Sequence, residues 1–97
     1  MESALHVAAD HPAYRGHFPG RPILPGVVLL AEVIAAIAGA TGREGARWNV
    51  ANAKFLQPVA PGTALTLAHE AAANGGVRFE VRAGDRLVAA GTLAPRD

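Results

Sequence analysis

A histidine and the start of an apolar segment stand close together in "GHFPGRPILPGVVLLAEV", residues 16–33. His17 opens a stretch rich in proline and glycine that ends at Pro25 and Gly26. A loop this constrained raises the question of whether His17 performs chemistry, and which group it faces. If a helix begins at Gly26, its first N–H groups are unpaired and carry about half a positive charge, which suits an oxygen that gains negative charge. Glycine would let that oxygen approach closely.

The element that positions these groups is a predicted helix over Gly26–Ala40, "GVVLLAEVIAAIAGA". Pro25 is tolerated at a helix start, and Gly39 with Gly42 marks the end. Glu32 is the single charged residue within the segment. A helix this apolar is expected to be buried on nearly every face, so the rest of the chain must wrap around it.

The wrapping elements are strands, which the alternation of apolar and polar residues predicts. A first strand covers Ser3–Ala9 and a loop covers Asp10–Pro25. The glycine-rich and proline-rich turns Gln57–Thr63, Asn74–Gly76 and Gly84–Asp85 separate the later strands. These strands are Ala46–Leu56, Ala64–Ala73, Val77–Ala83 and Arg86–Ala94. The sequence therefore predicts one α+β domain over residues 1–97, an antiparallel meander of four strands curled around a central helix, with Trp48 and Phe55 in the core.

Composition excludes several classes of function. The net charge of +1 argues against nucleic-acid binding, and the absence of cysteine removes thiol chemistry and disulfides. The N-terminal residues do not form a signal peptide, and the apolar run is too short and interrupted to span a bilayer, so a cytoplasmic protein is expected. Three further histidines are expected on a strand, in a loop and at a strand edge: His6, His11 and His69. Their spacing does not fit a metal site. The sequence contains no dinucleotide-binding or phosphate-loop motif. No cofactor is expected.

Two segments carry a resemblance to a known family. "GHFPGRPILPGVVLL" (Gly16–Leu30) resembles the G-H-F-P-x-x-P-x-x-P-G-V segment of hotdog-fold 3-hydroxyacyl-acyl-carrier-protein dehydratases, and "AKFLQPVAPGTALTL" (Ala53–Leu67) is similar to their second shared segment. The longer stretch "DHPAYRGHFPGRPILPGVVLL" (Asp10–Leu30) looks closest to a small branch associated with aryl-polyene and related lipid-like biosynthesis. The resemblance covers most of the chain. It implies a hotdog fold and a dimer in which each site combines the histidine of one chain with the helix of the other.

The resemblance also implies roles for single residues. His17 matches the family's catalytic base, and Gly26 matches the glycine whose N–H stabilises the thioester oxygen. The family's acid lies on the helix fourteen positions after the histidine, where this chain has Ala31, and a carboxylate appears one residue later at Glu32. Alanine also replaces the family's glutamine one turn later, at Ala35. Three residues of the loop and the helix start are candidates for contact with the substrate: Phe18, Pro19 and Pro25. The simpler interpretation is that they fix the conformation of the loop.

Three explanations of the missing acid stay open. The chain is inactivated at Ala31, by nature or by engineering; or a shifted helix brings Glu32 into the site; or water or Asp10 supplies the proton. Adjacent helix positions differ by about 100°, so Glu32 does not simply replace Ala31. A carboxylate in such a helix needs a partner, such as Arg21 or Arg43, or a solvated edge.

The resemblance implies an acyl carrier protein with a phosphopantetheine-linked acyl chain as the partner. An arginine patch of Arg15, Arg21, Arg43 and Arg47 could form a basic mouth for that acidic protein. A homodimer is expected, with a heterodimer containing a second hotdog chain as the alternative. The function hypotheses are a dehydratase or its inactive version, an acyl-thioesterase or acyl-binding module, and a non-catalytic partner that contributes His17 to a paralogue's site.

Overall fold

The computed structural model describes residues 1–7, 24–42, 48–72 and 75–95. These residues form one helix and five strands in the order β1 (Glu2–Leu5), α1 (Gly26–Thr41), β2 (Trp48–Phe55), β3 (Leu65–Ala71), β4 (Val77–Ala83) and β5 (Arg86–Pro95). The helix begins where the sequence predicted, directly after Pro25. It ends one residue beyond the prediction, because Gly42 adopts the left-handed conformation with φ 70° and its N–H donates to the carbonyl of Ala38.

The strands form a single antiparallel sheet in the order β1-β3-β4-β5-β2. Only β3, β4 and β5 form a meander, because β2 pairs with β5 at the opposite edge from β1. The predicted meander of four consecutive strands is therefore wrong. Alternation of apolar residues predicts that a segment is a strand, but it does not say which strand lies beside it. The segment 56–64 carries the chain across the sheet from β2 to β3.

Helix α1 packs on one face of this sheet. Its buried residues are Leu29, Val33 and Ile37, spaced four apart, so they form one stripe. The stripe meets the buried residues of the sheet, of which the largest fully buried ones are Leu67, Val81, Val88 and Leu93. One apolar helix against one antiparallel sheet is the hotdog arrangement that the sequence predicted.

The opposite face of the helix is open, contrary to the expectation of burial on nearly every face. Val27 is 73% exposed, and Ala31, Ala35 and Gly39 follow it at four-residue intervals, all exposed. The reason is geometric, since a single sheet covers about half of a helix and the other half needs a second layer.

The first strand is shorter than predicted. It ends at Leu5, the one buried residue of β1, and His6 and Val7 follow it outside the sheet. Strand β2 shows no alternation in burial. It lies at the edge of the sheet, where β5 is its one neighbouring strand among the described residues. Within the described ranges, no helix has both the length and the hydropathy that a membrane crossing requires.

A bulge in β2 constrains its neighbour β5. The register of the two strands shifts between Val50 and Asn52, which pairs Asn52 with Thr92 and Ala53 with Gly91. A Cβ atom on Gly91 would collide with the backbone oxygen of Asn52 and lie 2.8 Å from Cζ of Phe79. Glycine at position 91 thus allows the bulged strand and the Phe79 ring to approach the same point.

Candidate active site

The helix start is built as a site that can receive a negatively charged oxygen. Pro25 is the N-cap residue, makes no side-chain capping hydrogen bond, and no acidic residue occupies the first turn. The N–H groups of Val28 and Leu29 donate to the carbonyl of Pro25 at 3.0 and 3.1 Å. No acceptor for the Gly26 N–H is found among the described residues. An N–H at the positive end of a helix can serve as a donor to an oxyanion.

The two segments that carry the family resemblance meet at this helix start. The N–H of Leu24, in the first segment and two residues before the helix, donates to the carbonyl of Val59 in the second segment at 2.9 Å. Val59 is buried, and the turn around it closes a cavity of about 290 Å³ beside the helix. The cavity is lined by Leu24, Gly26, Leu29, Phe55, Leu56, Gln57, Pro58 and Val59. A mostly apolar pocket with a few polar groups is the general form of a small-molecule site.

Phe55 is the nearest neighbour of Gly26. A Cβ atom placed on Gly26 would lie 3.1 Å from Cε2 and 3.2 Å from both Cδ2 and Cε1 of the Phe55 ring. Besides allowing an oxygen to approach closely, glycine at position 26 avoids a close contact that the Cβ of any larger residue would make with the Phe55 ring. The expectation that Phe55 is a core residue is wrong, because its side chain is 50% exposed at the edge strand. Trp48, on the same strand, is half-buried and packs against the core, as predicted.

Ala31 and Glu32 point in different directions. With 100° per residue, Ala31 lies about 160° from the centre of the buried stripe, and Glu32 lies about 100° from it. Their surroundings agree with these angles, since Ala31 is exposed on the open face and Glu32 is half-buried at its flank. The position of the family's acid therefore faces away from the sheet and bears a methyl group.

Most of the predicted loop residues lie outside the described residues. This applies to His17, Phe18, Pro19, Asp10 and the four arginines of the predicted patch, Arg15, Arg21, Arg43 and Arg47. The structure thus brings together Pro25 and Gly26 from the predicted set, and adds Phe55. The signal for Phe55 in the sequence is its place directly before the L-Q-P-V turn of the second segment.

His69 is a buried histidine away from the helix start. It was expected at a strand edge, but it lies on the inward face of β3, an interior strand, and is 8% exposed. Its Nε2 atom has no hydrogen-bond partner among the described residues. Burial lowers the pKa of this imidazole, and the nearby N-terminal ammonium group lowers it further. His69 lines a cavity with Thr41, at the other end of the helix from Gly26, and so is not part of the candidate site.

A larger cavity of about 600 Å³ involves the outward face of the sheet. Its charged lining residues include both signs, and Glu70 pairs with Arg78 at 3.0 Å while both side chains stay well exposed. This is a solvated surface and not a site for one class of ligand. In the ranges that the structure describes, no three His, Asp or Glu side chains are grouped so that they could hold a metal ion.

Comparison with known proteins identifies the family of this chain. The family model described as "ApeI-like: ApeI dehydratase" matches residues 1–92. A 3-hydroxyacyl-[acyl-carrier-protein] dehydratase FabZ from Chlamydia trachomatis serovar L2 is 37% identical over 103 residues, which cover 92% of this chain and 67% of that protein. FabZ from Brucella ovis is 44% identical over 71 residues, covering 64% of this chain and 45% of that protein.

Among solved structures, the dehydratase heterocomplex ApeI:P from Xenorhabdus doucetiae matches with a TM-score of 0.76 and 24% identity, covering 99% of this chain and 86% of that chain. This similarity confirms the hotdog fold. The family match and the FabZ identity carry the assignment further, over nearly the whole chain. The chain therefore belongs to the hotdog-fold 3-hydroxyacyl-acyl-carrier-protein dehydratases, in the ApeI-like family.

Proposed function

We propose that this chain is a dehydratase-like protein for 3-hydroxyacyl thioesters held on an acyl carrier protein, and that it lacks the helix acid of its family. The observation that carries the proposal is the helix start, where the N–H of Gly26 has no acceptor among the described residues and opens beside an apolar cavity. Membership of the dehydratase family supports the substrate class.

The reaction removes a proton from C2 and hydroxide from C3, so that a C2=C3 double bond forms and water leaves. His17 takes the C2 proton as the general base. The Gly26 N–H donates to the thioester oxygen, which gains negative charge as the proton leaves. An acid must protonate the departing C3 oxygen. Ala31 cannot do so, and Glu32 would have to act from a direction about 100° away.

The proposed site is completed by a second chain. Among the described residues, no further element covers the open helix face or the outer edge of strand β2, and Val50 on β2 is 42% exposed. A dimer through this region would cover both and bring a second loop toward the helix start. We propose a homodimer, with a heterodimer as the alternative. The solved ApeI:P relative is described as a heterocomplex.

The heterodimer gives Ala31 a different meaning. A chain without the acid would then contribute His17 to a paralogue's site, and the paralogue's helix would supply the carboxylate. The proposed arginine patch of Arg15, Arg21, Arg43 and Arg47 would attract the acidic carrier protein in either assembly. These partners and a cytoplasmic location are predictions of the proposal.

Restoring the acid tests this function. We expect Ala31→Glu to raise the rate of hydration of a crotonyl thioester, the reverse reaction, by about 100-fold or more, since a general acid contributes on this scale. The measurement is the loss of enoyl absorbance, with His17→Ala in the same background as the control. An Ala31→Glu variant that stays as inactive as that control contradicts the proposal.

Product analysis separates the acyl-thioesterase alternative from dehydration. Dehydration yields a conjugated enoyl thioester, whereas hydrolysis releases a free thiol. The fluoroacetyl-CoA-specific thioesterase FlK shares the fold, with a TM-score of 0.71 at 11% identity over 96% of this chain and 84% of that chain. That likeness extends to the fold alone, so thiol release would have to be observed directly. Co-purification with a second hotdog chain would favour the non-catalytic partner.

A further inference from the structure

Phe55 lies where it can limit which acyl groups reach the helix start. All three heavy atoms nearest to a Cβ on Gly26 belong to its ring, at 3.1 to 3.2 Å. Half of the side chain is nevertheless exposed, and the ring also lines the cavity of about 290 Å³. One part of the ring therefore packs against the glycine, and another part faces the space that a ligand would occupy.

The direction of the helix places this ring beside the oxyanion donor. Cα–Cβ bonds of a helix tilt toward its N-terminus, and the first N–H groups point out of the same end. The ring lies 3.1 to 3.2 Å from the position of a Cβ atom on Gly26, so it stands beside the residue whose N–H is the proposed donor. A group that accepts this hydrogen bond must lie next to the aromatic ring.

This arrangement restricts the atoms close to the thioester carbonyl. An oxygen about 2.9 Å from the Gly26 nitrogen places the carbonyl carbon about 4 Å away and C2 one bond further, within reach of the ring. An unbranched acyl chain can extend from C2 past the ring. A branch at C2 adds a methyl group on a side that the ring already fills.

We propose that Phe55 is a specificity-determining residue that selects acyl chains unbranched at C2. The inference rests on the proposed function, because it takes the thioester oxygen to be bound by Gly26. A ring that merely fills the space above a glycine would affect stability and leave the preference between acyl groups unchanged. The two roles therefore differ in a measurable quantity.

The test uses two isomeric probes that do not react, butyryl-pantetheine and isobutyryl-pantetheine thioesters. They contain the same atoms and differ in branching at C2. Titration followed by ¹⁵N NMR at the Gly26 amide gives both dissociation constants without requiring catalytic activity. We expect the native protein to prefer the linear probe by about tenfold or more, the scale of discrimination that one methyl group gives in a shaped pocket.

Phe55→Ala should reduce this preference to less than about twofold, and Phe55→Leu should give an intermediate value. The matched control is Lys54→Ala, because Lys54 is exposed on the same strand and does not line this cavity. The control should keep the native preference. A Gly26 shift with an unchanged preference in Phe55→Ala, or an equal loss in Lys54→Ala, overturns the role of Phe55 and leaves the proposed function standing. If neither probe shifts the Gly26 amide, both proposals are wrong.

Discussion

At the scale of single residues, Ala31 and Glu32 show how one helical step separates a side chain from a site. Ala31 lies on the open face of α1 and Glu32 at its flank. A carboxylate at position 32 cannot occupy the place of a side chain at position 31 unless the helix rotates about its axis by about 100°. The buried stripe of Leu29, Val33 and Ile37 opposes such a turn, since it would move these side chains out of the core.

Glu32→Gln should therefore change the activity by less than about twofold, both in the native protein and in the Ala31→Glu variant. The glutamine keeps the size and shape of the side chain but has no ionisable group and no negative charge. The rate of crotonyl-thioester hydration measures the effect. A loss of about 100-fold in either background would make Glu32 the acid and would remove the inactivation hypothesis.

The protonation state of His69 is coupled to the folding of the chain. Its pKa is lowered, chiefly by burial and further by the N-terminal ammonium group, so the unfolded chain binds this proton more readily than the folded chain. Stability is then fully present above the unfolded pKa of about 6.5. It falls as the pH decreases below that value toward the folded pKa.

Urea unfolding between about pH 5 and pH 8 measures this dependence, since the range brackets the ordinary histidine pKa. The free energy of unfolding should decrease toward pH 5 in the native protein and decrease less in His69→Leu, which cannot take up a proton. His6→Leu is the matched control, because His6 is exposed. An equal pH dependence in the native protein and in His69→Leu would show that another group causes it.

At the scale of elements, the sequence predicted the helix start and strand β4 (Val77–Ala83) at the observed residues. Apolar periodicity and turn residues determine such elements locally. The neighbour of β2 was not predictable in this way, because pairing with β5 depends on contacts far apart in the chain. For the same reason Phe55 was assigned to the core, since alternation predicts a face of a strand but not what covers that face.

Strands β2, β4 and β5 approach one another closely at Gly91, which leaves no room for a side chain there. We expect Gly91→Ala to lower the free energy of unfolding by about 3 kcal/mol, because its Cβ would collide with the Asn52 backbone and the Phe79 ring. Gly39→Ala is the matched control. No atom lies within 4 Å of its added Cβ, and alanine in an exposed helix should raise stability by up to about 1 kcal/mol.

Urea unfolding at neutral pH measures both glycine variants. A Gly91→Ala protein as stable as the native one would show that β2 and β5 separate readily at the bulge. The comparison with Gly39→Ala excludes a general effect of replacing glycine by alanine, since the two changes have opposite expected signs.

At the scale of the whole molecule, two surfaces of the single chain are incompletely covered. One is the helix face marked by Val27, Ala31 and Ala35, and the other is strand β2 with the exposed side chain of Val50. A free sheet edge beside an apolar helix face favours association with another chain. The proposed composite site requires that association.

Light scattering should show a species larger than the 9.9 kDa chain. Val50→Lys should shift the protein toward the monomer, because it places a charge at the edge strand. Thr66→Lys is the control, since Thr66 is exposed on β3, an interior strand. A native protein that is a monomer at every concentration, alone and mixed with a second hotdog chain, would exclude a site shared between subunits.

The candidate site was predictable from sequence only in part. Pro25 and Gly26 followed from the turn and helix-start pattern, and the structure places them as expected. The contact between Gly26 and Phe55 joins residues 29 positions apart, and no local pattern indicates it. The meeting of Leu24 with Val59 is of the same kind, because the two positions are neighbours only after the chain has folded.

Because Pro25 provides no side-chain cap, the melting temperature of the protein should depend on whether a ligand is bound at the helix start. A serine or aspartate there would satisfy an amide of the first turn and strengthen the helix by about 1 kcal/mol, but it would compete with any incoming ligand. In the proposed function, a bound thioester oxygen accepts from the Gly26 N–H and so supplies an acceptor at the helix start. The loaded form should therefore melt at a higher temperature than the empty one.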